Sequence, residues 1–174
     1  MLIIFAIKFT INEDWQFKND PDINEYEDYL QKNIKTIVVV SAMGESTDQL
    51  LALANEVSKD PNPRELDVLL STGEIVTSTL LSMQLNTISI PTISLTGIQA
   101  GIRTDDAYGR ARIADINTTR IIKELDKKDV VVIAGFQGFS DEQDVTTLGR
   151  GGSDTTAVAL AVALQANNLS LIHI

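Results

Sequence analysis

Three short, uninterrupted apolar runs, residues 34–41, 92–95 and 130–134, set the narrowest limit on how this chain folds. Each is rich in β-branched residues and lacks the polar alternation of a strand with one wet face, so each reads as a strand covered on both sides. Between them the apolar period changes to that of a helix. Ser46 opens an S-x-x-Q capping pattern with Gln49, ahead of Leu50, Leu51, Ala54 and Val57 at helical spacing. Past Pro61 and Pro63 a longer helical run takes in Leu66, Leu69, Leu70, Val76, Leu80 and Met83. Gly73 lies inside it, where glycine costs about 1 kcal/mol against alanine, so a close backbone approach is expected there. Asn117 is placed to cap a further helix through Ile121, Ile122 and Leu125, and residues 153–166, apolar nearly all round, predict a buried one. Strands that alternate with helices in this way predict a largely parallel α/β sandwich.

Composition narrows the function classes. The 174 residues are 44% hydrophobic and 22% charged, which suits one domain with its own core. Cysteine is absent, which excludes disulfides, thiolate metal sites and a cysteine nucleophile. The one histidine, His173, stands next to the last residue and is expected in a solvated tail. A net charge of −10 offers no basic stripe for nucleic acid or an anionic membrane surface. The opening MLIIFAIKF has no basic flank and is too short to span a bilayer, so a first strand near residues 2–9 and a cytoplasmic protein are expected. Residues 9–33, rich in Asp, Glu and Asn, give only one weak helical pattern. An acidic protein that handles anions must gather its few cations locally, so arginine or lysine beside glycine becomes the place to look.

That place is LGRGGSD, residues 148–154, ahead of the apolar helix. Gly149, Gly151 and Gly152 allow successive amides to point at one spot, and the helix start adds a dipole favourable to negative charge. Arg150 supplies a forked donor for carboxylate or phosphate, and Ser153 and Asp154 serve either as caps or as site residues. The plainer alternative is a glycine-rich turn capped by Ser153. Two other segments favour a site: SAMGESTD (41–48) and AGFQG (134–138) each put a small-residue turn directly after a buried strand, where open α/β sheets bind ligands. Glu74, four residues past Leu70, offers an acceptor for an ammonium group, the alternative being a solvated helix charge. Thr47 reads equally as a helix-start residue. Together these groups compose a pocket for an amino acid.

The segments IVVVSAMGESTD, LLSTGE, SLTGIQAGI, GRARI, VVIAGFQG and TTLGRGGSDTTAVALA occur in the order and at the spacing found in bacterial aspartate kinases, so the chain resembles that branch of the amino acid kinase family. The resemblance implies a three-layer, mainly parallel α/β sandwich of the amino acid kinase (carbamate kinase-like) type, here incomplete. It implies transfer of the ATP γ-phosphoryl group, with Mg²⁺ carried by the nucleotide, to the side-chain carboxylate of L-aspartate, the entry to lysine, threonine and methionine synthesis. By motif position Thr47, Glu74, Arg150 and Ser153 would bind aspartate, with Ser41, Phe136, Gln137, Gly138, Gly151 and Gly152 lining the site. Lys8 and Asp154 would be catalytic, and no metal would be held by protein ligands alone.

Agreement with the family stops near both ends. The family's Lys-Phe-Gly-Gly-Thr-Ser begins here with Lys8 and Phe9 but continues Thr10, Ile11, Asn12 and Glu13, which suit a phosphate-cradling loop poorly. After Ala166 the expected nucleotide segment is replaced by NNLSLIHI. The division expected is therefore an atypical segment 1–33, an aspartate-binding part 34–166 and a divergent tail 167–174, as in a truncated or frameshifted frame. Two function classes follow: an acyl-phosphate-forming kinase, or a non-catalytic module that keeps the aspartate pocket and associates with itself or another chain. A kinase of the same fold acting on another amino acid or small acid is a third.

Overall fold

The computed structural model describes residues 2–8 and 34–173, so the expectation for residues 9–33 lies outside the described residues. Five parallel strands form the main sheet in the order β3-β6-β2-β1-β9: Thr92–Leu95, Val130–Ala134, Lys35–Val40, Leu2–Lys8 and Asn168–His173. The register sets Ile7 beside Val40 and Val40 beside Ala134, so β1, β2 and β6 end level at one edge. His173 lies within β9, opposite Lys8, and not in a frayed tail; the pairing of β9 with β1 extends from Ile3↔Asn168 to Lys8↔His173.

Alternation along β2 and β6 explains their unbroken apolar sequence. Ile37, Val39, Val131 and Ile133 face one side, with Ile121, Leu125, Ala157 and Leu160. Val38, Val40, Val130 and Val132 face the other, with Leu81 and Leu85. Neither face is wet, so from Ile37 to Val40 and from Val130 to Ala134 both faces are apolar, with the polar Lys35 and Thr36 confined to the start of β2, and the result is a three-layer α/β/α sandwich. The helices are α1 (Ser46–Val57) and α2 (Pro63–Thr87), then α3 (Thr119–Leu125) and α4 (Gly152–Ala163). Leu81 and Leu85 belong to α2, and the first-face residues to α3 and α4.

Helix starts test the capping expectations. Thr118, not Asn117, holds the cap position of α3; Asn117 stands one residue earlier and accepts a 3.1 Å bond from the Thr119 amide. Ser46 does not cap α1: it lies inside the helix after Glu45, and its hydroxyl donates to the Met43 carbonyl at 2.6 Å. α2 starts with Pro63 in its first turn and with Asn62 accepting from the amides of Arg64 and Glu65. α4 ends at Ala163, short of 166, and only one face is buried: Val158 and Val162 are 46% and 74% exposed. α2 is long and apolar enough to cross a membrane by length and composition, yet Asp67 and Glu74 are among its buried residues. A lipid-facing helix would not hide its carboxylates in a protein interior, so α2 is a core helix.

A second, four-stranded sheet was not visible in the sequence. It runs β5-β4-β7-β8, Ile113–Ile116, Ile102–Thr104, Gln137–Phe139 and Val145–Thr147; in chain order β4 and β5 fall between β3 and α3, and β7 and β8 between the β6 exit and α4. Its strands are three or four residues long, too short for a period to register.

Candidate functional site

The exits of β2 and β6 lie side by side, with the Gly135 amide donating to the Val40 carbonyl at 2.9 Å. A cavity of about 510 Å³ opens there, and its walls include Ser41, Ala42, Thr47, Glu74, Phe136 and Arg150 through Asp154. Ser41, Thr47, Glu74, Arg150, Gly151, Gly152, Ser153, Asp154 and Phe136, all picked out from sequence, thus share one space. Two post-strand turns and one helix start converge because the parallel register aligns the strand ends.

Close packing shapes the floor. A Cβ on Gly73 would lie 2.8 Å from Ala42 Cβ, so only glycine lets α2 come this near to the β2 exit. That approach carries Glu74 inward. Its Oε1 accepts a 3.0 Å bond from the Ala42 amide, while Oε2 is buried and has no hydrogen-bond partner among the described residues. Glu74 is only 3% exposed, so the solvated-charge alternative is excluded. Burial pushes its carboxyl up to about 7, against the opposing pull of the Ala42 amide.

The opposite wall is the start of α4. Gly149 and Gly151 take left-handed φ of 78° and 72°, and the Gly152 amide turns back to the Gly149 carbonyl at 3.0 Å. This winds the loop so that the Ser153 and Asp154 amides, at the positive end of the helix, find no acceptor among the described residues. Ser153 makes no side-chain cap for α4, so the bland reading of a serine-capped turn does not hold. Arg150 is exposed on the cavity rim and takes part in no ion pair among the described residues. Phe136 is held at φ 66°, its amide donating to Thr156 Oγ1 at 3.2 Å and its carbonyl accepting from Leu148 at 2.8 Å. Strain of this kind in a non-glycine residue is typical of site walls.

Two expected lining residues face elsewhere. Gln137 is buried in β7, where its Nε2 donates to the Ser71 carbonyl at 2.9 Å and its Oε1 accepts from the Gly97 amide at 3.3 Å. Gly138 is pressed between Ile102 and Thr104, where a Cβ would meet both at 2.6 Å. Only Phe136 of that trio reaches the cavity, because β7 begins immediately after it and turns its residues into the second sheet. The backbone of Lys8 sits at the same sheet edge, one step beyond the Ile7↔Val40 pair; its side chain lies outside the described residues.

Sequence reasoning singled out Gly149 but did not single out Ala42, Gly44, Asp48 and Gly109 in the wall, or Asp67 behind it. Asp67 carried a readable signal: it stands two helical turns before Glu74, on the same face. The whole arrangement sets a buried carboxylate with a vacant oxygen against unpaired amides and a guanidinium. It is matched to a small zwitterion, ammonium at one end and carboxylate at the other.

The chain is similar to known proteins in sequence and in fold. Aspartokinase 2 of Bacillus subtilis (strain 168) is 53% identical over 141 residues, 81% of this chain and 35% of that protein, and an aspartokinase of Thermus thermophilus is 52% identical over 143 residues, 82% and 35%. The chain thus spans about 35% of the length of these curated relatives. The crystal structure of aspartate kinase from Synechocystis superposes with a TM-score of 0.74 at 42% identity, covering 96% of this chain and 28% of that one. E. coli aspartokinase III, in complex with aspartate and ADP, shares the fold with a TM-score of 0.77 at 24% identity, covering 98% and 49%. The model of the amino acid kinase family matches residues 22–172, and the chain belongs to that family.

Proposed function

We propose that this cavity binds L-aspartate and that the chain provides the amino-acid-binding part of an aspartate kinase, which moves the ATP γ-phosphoryl group to the aspartate side chain to give 4-phospho-L-aspartate. The observation that carries the reading is the buried, partnerless Oε2 of Glu74 in the same cavity as Arg150 and the open amides of α4. An uncompensated buried carboxylate is costly, and an ammonium group seated beside it removes the cost. Glu74 thus holds the α-amino group, while Arg150 and Ser153 take the α-carboxylate and Thr47 closes the wall. E. coli aspartokinase III, which shares the fold, is described with aspartate and ADP bound, which supports a nucleotide as the second substrate.

The acceptor is a carboxylate, already ionised at neutral pH, so no general base is required and no covalent enzyme intermediate is expected. The work left to the protein is positioning and charge neutralisation. Amides at a helix start suit a phosphoryl oxygen as well as a carboxylate, so the α4 wall fits an approaching phosphate. Asp154 is proposed to orient groups at the reacting end and Lys8 to face the transferred phosphoryl group. No cluster of three or more His, Cys, Asp or Glu poised for a metal occurs among the described residues, and Mg²⁺ is assigned to the nucleotide, where it would neutralise phosphate charge.

Calorimetric titration with L-aspartate tests the site. Arg150→Ala should abolish the binding heat while Ser170→Ala, in β9 away from the cavity, leaves it unchanged; superimposable curves for Arg150→Ala and the unaltered protein would refute the assignment. An assay of ADP release with ATP, Mg²⁺ and aspartate then separates a kinase from a binding module.

A further inference from the structure

Asp67 is 1% exposed, and no cation meets it among the described residues. Its two oxygens are satisfied by donors from two other parts of the chain. Oδ1 accepts from the Gly109 amide at 2.9 Å and from Thr147 Oγ1 at 2.8 Å; Oδ2 accepts from the Thr147 amide at 2.8 Å and from Gly109 at 3.0 Å. Thr147 ends β8, two residues before Gly149 opens the Arg150 loop. Gly109 itself lines the cavity, its carbonyl 3.2 Å from where a Cβ on Gly149 would stand, and the Ala111 amide donates to the Thr147 carbonyl at 2.8 Å. Three segments therefore meet at one carboxylate: α2, the 105–112 loop and the base of the 148–152 loop.

The consequence lies in what else α2 carries. Glu74, the acceptor for the ligand's ammonium, stands on the same rigid helix two turns further on. We propose that Asp67 is a positioning residue that fixes the distance between Glu74 and the Arg150 loop, and so sets the length of amino acid the cavity accepts. The proposal rests on the aspartate reading given above. Asp67 never touches the ligand. It clamps the carboxylate-holding wall to the helix that bears the ammonium-holding wall, and charge-assisted bonds to buried amides hold such a span more firmly than apolar packing. A cavity held to length distinguishes aspartate from glutamate, which is one methylene longer.

The test uses the full chain and three variants: Asp67→Asn, which puts an amide donor against amide donors, Thr147→Val, which removes only the hydroxyl bond, and Thr147→Ser, which keeps it. Binding of L-aspartate and L-glutamate is titrated for each, and the amide resonances of Gly149, Gly151 and Gly152 are recorded without ligand. Asp67→Asn should weaken aspartate at least tenfold and narrow its preference over glutamate; Thr147→Val should do the same to a lesser degree, and Thr147→Ser should restore both. The glycine resonances should move in Asp67→Asn and Thr147→Val while those of α3 stay in place. If Asp67→Asn fails to fold, Thr147→Val decides. Folded variants with the glycine resonances and the aspartate-to-glutamate ratio unchanged would overturn the proposal. Failure of the unaltered chain to bind aspartate would instead strike the site reading, since the ligand-free spectra report the clamp by themselves.

Discussion

Glu74 concentrates the chemistry of the site in one group. Its carboxyl is raised from an ordinary 4.5 to about 7, first by desolvation and against the Ala42 amide bond. Between those values the folded chain holds a proton that the unfolded chain has released, so stability is full below pH 4.5 and falls as pH rises through 7. The span corresponds to about 3 kcal/mol, and Glu74→Gln, which cannot ionise, should flatten that part of the stability profile measured by urea unfolding at pH 5 to 8. Ligand binding has the opposite slope. If the ammonium of aspartate seats on ionised Glu74, affinity should rise by roughly tenfold per pH unit up to about 7 and then level, with a proton released on binding below it. Calorimetry in buffers of different ionisation enthalpy reads that proton, and a pH-independent affinity with no proton release would remove Glu74 from the ligand's ammonium.

Elements, not single residues, decide whether that carboxylate faces the cavity. α2 reaches the β2 exit only because Gly73 has no Cβ, and an added one would sit 2.8 Å from Ala42 Cβ. Gly73→Ala gains about 1 kcal/mol of helix propensity but should lose about 1–3 kcal/mol to the clash, so a net loss of stability accompanied by weaker aspartate binding is expected. Gly151→Ala is a useful contrast: its Cβ would meet nothing within 4 Å, yet φ 72° penalises any side chain, so it should harm binding with little other disturbance. Denaturant melts alongside titrations distinguish the two. Helical periodicity located α2 but pointed to the wrong face. Val76, Leu80 and Met83 are 51%, 47% and 61% exposed, while Ser71, Gly73, Glu74, Thr77, Ser78 and Ser82 are buried. Ahead of the buried Leu81 and Leu85, small polar residues face inward because close approach, not apolar bulk, is what this part of the interface needs, and this is why the helical pattern by itself left a solvated charge open as the alternative for Glu74. The central strands were legible because both faces are dry. Gln137 was misplaced because the short strand β7, invisible to any period, turns it into Ser71 and Gly97.

At the scale of the whole molecule, the main sheet depends on its last strand, which pairs with β1 at the sheet's edge. Sequence reading sets NNLSLIHI apart as a divergent tail, while the family match extends to residue 172; residues 168–173 form β9 and cover the outer side of β1 over six paired positions. β1 in turn supports β2, whose exit forms the cavity floor, and it places fully buried Ile4 in the core with Ala157 and Leu160 of α4. Without β9, the backbone of β1 would present a row of open amides and carbonyls at a sheet edge, and α4, already exposing Val158 and Val162, would lose a neighbour. Deletion of residues 168–174 should therefore lower the melting temperature and drive self-association through β1, seen as a concentration-dependent shift in size-exclusion chromatography with light scattering. Among the described residues none of the cavity wall comes from β9, so the fraction that remains folded and monomeric should keep its aspartate affinity within a few-fold. A deletion variant that stays monomeric and melts like the full chain would show that β2, β6 and β3 suffice and that β9 is an ornament on the fold. Loss of binding in a folded monomer would instead show that the outer edge of the sheet acts on the site, through β1 and β2 or through α4, which packs against β9.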